Sequence, residues 1–154
     1  MLIECLVYVA VFMVIAGLAT AAFYRALENS RRLRRNVADI ALALQAGERW
    51  RAEVRSATAP LRLVTEPAQQ TLHIPRGADE IVYSFVQGTL LRRAATNAAW
   101  TKALANLKSS QMAREERNGV VSWRWEIEFK SQLKETRVRP LFSFLAVAAA
   151  DQQR

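Results

Sequence analysis

The sequence predicts an α+β protein in which one long N-terminal helix packs on a small antiparallel β-sheet head. Three observations support this fold class. Residues 5–24 carry no formal charge, no proline occurs before Pro60, and short β-like runs separated by turn residues fill the chain after it. We therefore divide the chain into a membrane-spanning half of the helix (1–24), an amphipathic half (25–58) and a β-rich globular head (59–154).

The first part of the predicted helix is long enough to cross a membrane. Cys5 to Tyr24 gives twenty residues without a formal charge, which is the length that a helix needs to span a bilayer core. Glu4 stands at the head of this segment. A carboxylate near the membrane end of an apolar helix is costly unless it stays at the interface, is protonated or finds a cationic partner. We therefore expect Glu4 to be a contact for assembly.

The second part of the helix shows an apolar stripe. Its members follow the three-and-four spacing of one helical face, and two larger residues extend it with some drift: Leu33, Val37, Ile40, Leu44, Trp50 and Val54. The helix is predicted to run from about Leu2 to about Ser56, roughly 80 Å at 1.5 Å per residue. The stripe is expected to cover the apolar face of the sheet. A coiled coil is disfavoured because the repeat lasts barely three heptads.

The head begins with four predicted strands, Leu61–Thr65, Thr71–Ile74, Glu80–Val86 and Thr89–Arg93. The last two are joined through Gln87-Gly88 and form a predicted hairpin. A short helix is expected over Ala98–Met112, with Trp100, Leu104 and Leu107 on one side. A final strand is predicted over Arg137–Leu145, where Pro140 indicates an edge position or a bulge.

The clearest strand covers Val121 to Phe129. Trp123, Trp125, Ile127 and Phe129 alternate with Arg124, Glu126 and Glu128, which is the period-two pattern of a sheet with one buried face. The two tryptophans would also suit a stacking platform for nucleic acid beside the many arginines. For Trp123 and Trp125, a position in the core is favoured over a stacking platform.

The chain is basic, with a formal net charge of +8. The densest cluster is Arg31, Arg32, Arg34 and Arg35, just beyond the apolar segment. We interpret it as a collar beside anionic lipid headgroups rather than a nucleic-acid contact patch. Because arginines beside a membrane span tend to lie on the cytoplasmic side, this collar on its own predicts a cytoplasmic head. A cleavable secretory signal is an alternative, because Ala19-Thr20-Ala21 has the form of a signal peptidase site, although no positive charge precedes the apolar run.

Candidate catalytic residues are scarce. His73 is the only histidine and Cys5 the only cysteine, which excludes a two-histidine metal site and a disulfide framework. His73 is expected to be a surface or loop residue. The acidic pairs Asp79-Glu80, Glu115-Glu116 and Glu126/Glu128 leave calcium binding open. We expect no enzymatic activity, no metal and no cofactor.

The N-terminal residues carry a resemblance to a known family. Leu2-Ile3-Glu4-Cys5-Leu6-Val7, followed by an apolar run and a basic amphipathic helix, resembles the N-terminus of type IV pilins and type II secretion pseudopilins. There the motif is Phe-Thr-Leu-Ile-Glu after a basic leader, which a prepilin peptidase removes before N-terminal methylation. The resemblance implies that Glu4 is the assembly glutamate, facing the amine of a neighbouring subunit. Met1 stands at the place of the Thr, so either translation starts further upstream or this copy is not processed in that way.

A second resemblance lies in the head. The segment 81–93 is similar to the Tyr-x-x-x-x-Gly-x-Leu-x-Arg hairpin of J-class minor pseudopilins, with Tyr83, Gly88, Leu90 and Arg92 at the motif positions. J-class proteins have a larger, two-sheet head and sit at the tip of a short pseudopilus, whereas a minor pilin of another system is the main alternative.

Together, these residues lead us to expect a non-enzymatic, single-pass protein of a bacterial inner membrane with a periplasmic or other extracytoplasmic head. Its expected partners are other pilin or pseudopilin subunits, the inner membrane and, if a leader precedes Met1, a prepilin peptidase. One alternative function is a DNA-binding minor pilin of a DNA-uptake system. Another is a simple membrane-anchored or secreted periplasmic domain.

Overall fold

A computed structural model describes residues 2–67, 69–117, 119–130 and 141–151, with the side chains at 2, 3, 5, 6, 32, 33, 35 and 36 left undescribed. The chain forms two compact units, Met1–Ala41 and Leu42–Arg154. The elements in order are α1 (Leu2–Arg55), β1 (Arg62–Glu66), β2 (Gln69–Arg76), β3 (Asp79–Val86), β4 (Thr89–Arg93), β5 (Thr101–Leu104), β6 (Leu107–Arg117), β7 (Val120–Phe129), β8 (Leu141–Ala146) and a 3₁₀ turn (Ala149–Asp151).

The predicted long helix is confirmed to within one residue of its C-terminal end. Helix α1 ends at Arg55, and Ser56 closes the last turn by donating its backbone N–H to the Ala52 carbonyl (3.0 Å). The Ser56 hydroxyl donates to the Glu53 carbonyl (2.9 Å). These bonds satisfy carbonyls that would otherwise be left free at a helix end. Pro60 then prevents the helix from resuming.

The strands form two antiparallel sheets rather than the single small sheet predicted. Sheet A has the order β1-β2-β3-β4-β5, and sheet B has the order β6-β7-β8. The Gln70 side chain joins them, because its amide donates to the Met112 carbonyl (2.9 Å) and accepts from the Met112 N–H (2.7 Å). The α+β class is confirmed, with the strand content divided between two layers.

The helix predicted over 98–112 is wrong. Strand β5 covers its middle, β6 begins at Leu107, and Asn106 makes the turn between them with a positive φ of 58°. Leu104 and Leu107 have the spacing of a helical face, but they belong to β5 and β6, and both side chains are buried. Trp100, the third member of that supposed face, is 45% exposed.

The apolar stripe predicted to cover the sheet is correct in part, because Trp50 and Val54 are buried whereas Val37, Ile40 and Leu44 are exposed. In the second unit, α1 buries Ala43, Trp50 and Val54, whereas Leu44 is 49% exposed. Val37 and Ile40, in the first unit, are exposed as well. The side chain of Leu33 lies outside the description. Gly47 is buried as well as Ala43, and at Gly47 the helix backbone approaches the Phe144 ring of β8 closely.

Gly47 makes the closest of these approaches. A β-carbon at this position would overlap the ring of Phe144, which projects from β8 and is itself buried. A glycine normally weakens a helix interior by about 1 kcal/mol relative to alanine. Here it provides the space that an aromatic side chain of sheet B occupies.

The tryptophan strand was predicted correctly. The four residues Trp123, Trp125, Ile127 and Phe129 are buried on one face of β7, the central strand of sheet B. The Trp125 ring packs against those of Trp50, Tyr83 and Phe144, with centroid distances of 5.5, 6.1 and 5.7 Å. The core interpretation is confirmed, and a stacking platform for nucleic acid at Trp123 and Trp125 is excluded.

The last predicted strand corresponds to β8 over its described part. Strand β8 pairs with β7, with Glu128 opposite Leu141 and Trp123 opposite Ala146. Residues 137–140 of the prediction, including Pro140, lie outside the described residues. Among the described strands β8 is an edge of sheet B, as the proline indicated.

Candidate functional site

The first unit presents an apolar helical surface with one acid at its beginning. Glu4 lies exposed in the first turn of α1, in the same turn as the backbone of Leu2 and Ile3. The large apolar side chains that follow are each at least half exposed: Val7, Tyr8, Val9, Val11, Phe12, Met13, Val14, Ile15, Leu18, Phe23 and Tyr24. Such a surface is far larger than a soluble monomer normally exposes.

Within the described residues, the structure has one helical segment that is long and apolar enough to cross a membrane. It covers Val7–Arg31 and none of it is buried. The Thr20 hydroxyl donates to the Ala16 carbonyl (2.6 Å), so this polar group is satisfied inside the helix itself. The segment is therefore suited to lipid or to the apolar surfaces of other helices.

The basic collar begins at the end of this segment. Arg31 and Arg34 are exposed on α1, and the side chains of Arg32 and Arg35 lie outside the description. Exposed arginines beside an apolar span are placed to contact the phosphates of lipid headgroups.

A second cluster, which the sequence analysis did not identify, lies inside the second unit. Glu53, on the last turns of α1, accepts a hydrogen bond from the Tyr83 hydroxyl (2.6 Å). The Arg92 guanidinium donates to the same carboxylate from its terminal nitrogen (2.5 Å) and from Nε (3.1 Å). Tyr83 and Arg92 are directly opposite each other on β3 and β4, so both reach the helix from one face of the hairpin.

Burial and the Glu53 carboxylate shift the pKa values of its two partners. Burial raises the pKa of Tyr83, and the charge and hydrogen bond of Glu53 raise it further. The hydrogen bond from Arg92 to Glu53 raises the pKa of Arg92, more than burial lowers it. The cluster links helix and hairpin through a paired carboxylate and guanidinium and the Tyr83 hydroxyl.

His73 lies on the outer face of sheet A, in a strand rather than in a loop. Its Nδ1 is 2.9 Å from Glu80, which also receives a hydrogen bond from Arg62 (2.7 Å). Burial pushes the pKa of Glu80 up, but hydrogen bonds and charges from His73 and Arg62 outweigh it, so the pKa lies below its usual value. The site is a surface ion cluster.

The acidic pairs do not form a cation site in the described part of the chain. Glu115 pairs with Arg124 (2.8 Å) and Glu128 with Lys108 (2.9 Å). Among the described residues, no three His, Cys, Asp or Glu side chains converge as metal ligands. The Glu115 and Glu128 carboxylates therefore each have a basic side chain as their neighbour.

No protein-family model, curated protein or solved structure matches this chain. A function is therefore inferred from the geometry of the residues of this chain. The predicted residues Leu2, Ile3 and Glu4 share one helical turn, and the collar follows on the same helix. Glu53 was not predicted, although Tyr83 and Arg92, its two partners, stand at the positions of the hairpin motif.

Proposed function

We propose that this protein is a pilin-like subunit of the minor pseudopilin type, which assembles through its N-terminal helix into a type II secretion or type IV pilus-like filament. The proposal places it in a bacterial inner membrane with its head on the periplasmic side. The observation that carries the proposal is an exposed apolar segment with a single acid, Glu4, in its first turn.

The physical role of Glu4 follows from its position. A charged carboxylate at the edge of an apolar segment is tolerated at the lipid interface, but it becomes costly when helices leave the bilayer and pack together. A cationic group of a neighbouring subunit removes this cost, but only when the two helices are in the register that brings this group next to Glu4. Glu4 would thus convert a non-specific apolar association into a defined helical stagger, with the N-terminal amine of a neighbour as its partner.

The head supports the narrower J-class assignment. Its strands form two sheets, and the hairpin motif has a structural role at each position. Gln87 and Gly88 have positive φ values of 48° and 79°, as a two-residue hairpin turn requires. A β-carbon on Gly88 would lie 2.8 Å from the Leu107 carbonyl oxygen, and Leu90 is fully buried.

The test is replacement of Glu4 in cells that express the full set of partner subunits. Glu4→Leu and Glu4→Gln should insert into the membrane as the wild type does, because neither adds a charge to the apolar segment. Both should lower the filament-bound fraction by about tenfold or more, because removing one partner of a buried ion pair costs about 3–5 kcal/mol and about 1.4 kcal/mol already corresponds to a tenfold change. Membrane fractionation and recovery of sheared filaments measure the two quantities.

Glu48→Gln is the matched control, because it removes a carboxylate from the same helix at an exposed surface pair with Arg51. It should leave both quantities unchanged. Normal assembly of Glu4→Leu would show that the proposed role of Glu4 is wrong. Loss of Glu4→Leu from the membrane would show instead that the acid serves insertion.

A further inference from the structure

Strand β5 forms one edge of sheet A. It covers Thr101–Leu104 and, among the described residues, pairs with β4 alone. The register shifts between Leu90 and Leu91, so the edge bends there. An edge strand offers a row of backbone N–H and C=O groups to any extended chain that comes alongside.

A shallow cleft lies beside this edge, entirely within the second unit. Helix α1 and sheet A line it with Leu42, Gln45, Ala46, Arg49, Tyr83, Arg92 and Ala103. Its apolar lining includes Leu42, which is 49% exposed. An additional strand on β5 would therefore place alternate side chains over this cleft.

The charges around the cleft are unbalanced. Arg92 is occupied by Glu53, whose carboxylate oxygens are both engaged. Arg49 on the helix and Lys102 on β5 are exposed, and neither has an acidic partner within the described residues. The lining of the cleft contains no carboxylate. A partner with acidic side chains would neutralise both cations.

The opposite edge of sheet A, strand β1, has a different distribution of charge. On β1, Arg62 is already paired with Glu80, and Glu66 adds a negative charge. Trp100, which precedes β5, is 45% exposed and stacks on Arg93 with a distance of 5.2 Å from the guanidinium carbon to the ring centroid. Among the described residues, the β5 edge thus combines backbone groups without a neighbouring strand, two cations without an acidic partner and exposed apolar surface.

We propose that the β5 edge and its cleft bind an extended, acidic segment of a partner protein by strand addition. The partner backbone pairs with Thr101–Leu104. Its carboxylates contact Arg49 in the cleft and Lys102 on the opposite face, and its apolar side chains cover Leu42. This interaction is distinct from filament assembly through the apolar segment Val7–Arg31 of α1 and does not depend on it, because every residue involved belongs to the second unit.

The experiment uses the full chain in detergent micelles and a fluorescently labelled eight-residue peptide, Glu-Glu-Val-Val repeated twice with blocked ends, which as a strand carries Glu and Val on both faces. Fluorescence anisotropy should show binding at low salt that weakens as salt is added. Arg49→Glu and Lys102→Glu should each raise the dissociation constant by about three- to tenfold. Arg117→Glu on β6, an equal change in net charge on an exposed arginine of sheet B, should leave it unchanged.

Three further peptides separate strand addition from simple charge attraction. N-methylation of alternate residues blocks the N–H groups on one edge of the peptide, so one of the two methylated peptides should lose binding. A basic peptide with Lys in place of each Glu should not bind. Equal binding by both methylated peptides, by the basic peptide or by the two cleft variants would overturn the proposal, as would the absence of binding by the acidic peptide.

Discussion

Glu53→Ala is expected to lower the free energy of unfolding of the second unit by about 3–5 kcal/mol, the usual cost of removing one partner from a buried ion pair. The carboxylate is 11% exposed and Arg92 is 16% exposed, so the guanidinium would remain in the interior without its counter-charge. The Tyr83 hydroxyl, 2.6 Å from the same carboxylate, would lose its acceptor as well. Denaturant unfolding of the full chain in detergent, followed by tryptophan emission, measures the change.

Three controls identify the cause of this loss. Tyr83→Phe removes one hydrogen bond and should cost about 1–2 kcal/mol. Glu48→Ala removes an exposed carboxylate from the same helix and should change the free energy of unfolding by less than about 0.5 kcal/mol. The double variant Glu53→Met/Arg92→Met should be less destabilised than Glu53→Ala, because no charge remains buried. A cost for Glu53→Ala as small as that of Glu48→Ala would contradict a buried tie.

Gly47→Val should be the second severe substitution, with a loss of about 1–3 kcal/mol or more in the free energy of unfolding. Even a β-carbon at this position overlaps the Phe144 ring. That ring packs on the Trp125 ring, with 5.7 Å between the centroids. The guanidinium carbon of Arg51 also lies 5.3 Å from the Phe144 ring centroid. The ring cannot move without disturbing the core, so the same denaturant experiment should show an earlier transition.

The matched control is the other glycine of the helix. A β-carbon on Gly17 meets no heavy atom within 4 Å, so Gly17→Val should leave unfolding of the second unit unchanged. If Gly47→Val unfolds at the same denaturant concentration as the wild type, the close approach of helix and β8 does not exist as described.

The parts of the fold that the sequence predicts are those with a local pattern. The absence of proline before Pro60 predicts the end of α1, and alternation along Val120–Phe129 predicts the buried face of β7. On the buried face of the helix, Trp50 and Val54 were predicted and Ala43 and Gly47 were missed. The reason is physical, because small residues produce no hydrophobic signal although they permit the closest packing.

The difference between a local and a non-local pattern also explains why Glu4 was predicted from the sequence and Glu53 was not. Glu4 stands out from sequence because it is an isolated charge at the start of an apolar run. Glu53 is one of several acids in an amphipathic stretch, and only the facing of Tyr83 and Arg92 across two strands shows which acid is buried. The segment 98–112 was misread because Leu104 and Leu107 have helical spacing, while their burial depends on pairing with β4 and β7.

The central claim is that the apolar surface of α1 contacts the helices of other subunits. Site-specific photocrosslinking in cells tests it directly, with a benzoylphenylalanine in place of Phe12, which is 69% exposed. We predict covalent products, identified by mass spectrometry, with the N-terminal apolar segments of other membrane subunits, and their loss in Glu4→Leu. Crosslinks to lipid alone, or protein crosslinks unaffected by Glu4→Leu, would contradict assembly through this helix and favour a simple membrane anchor.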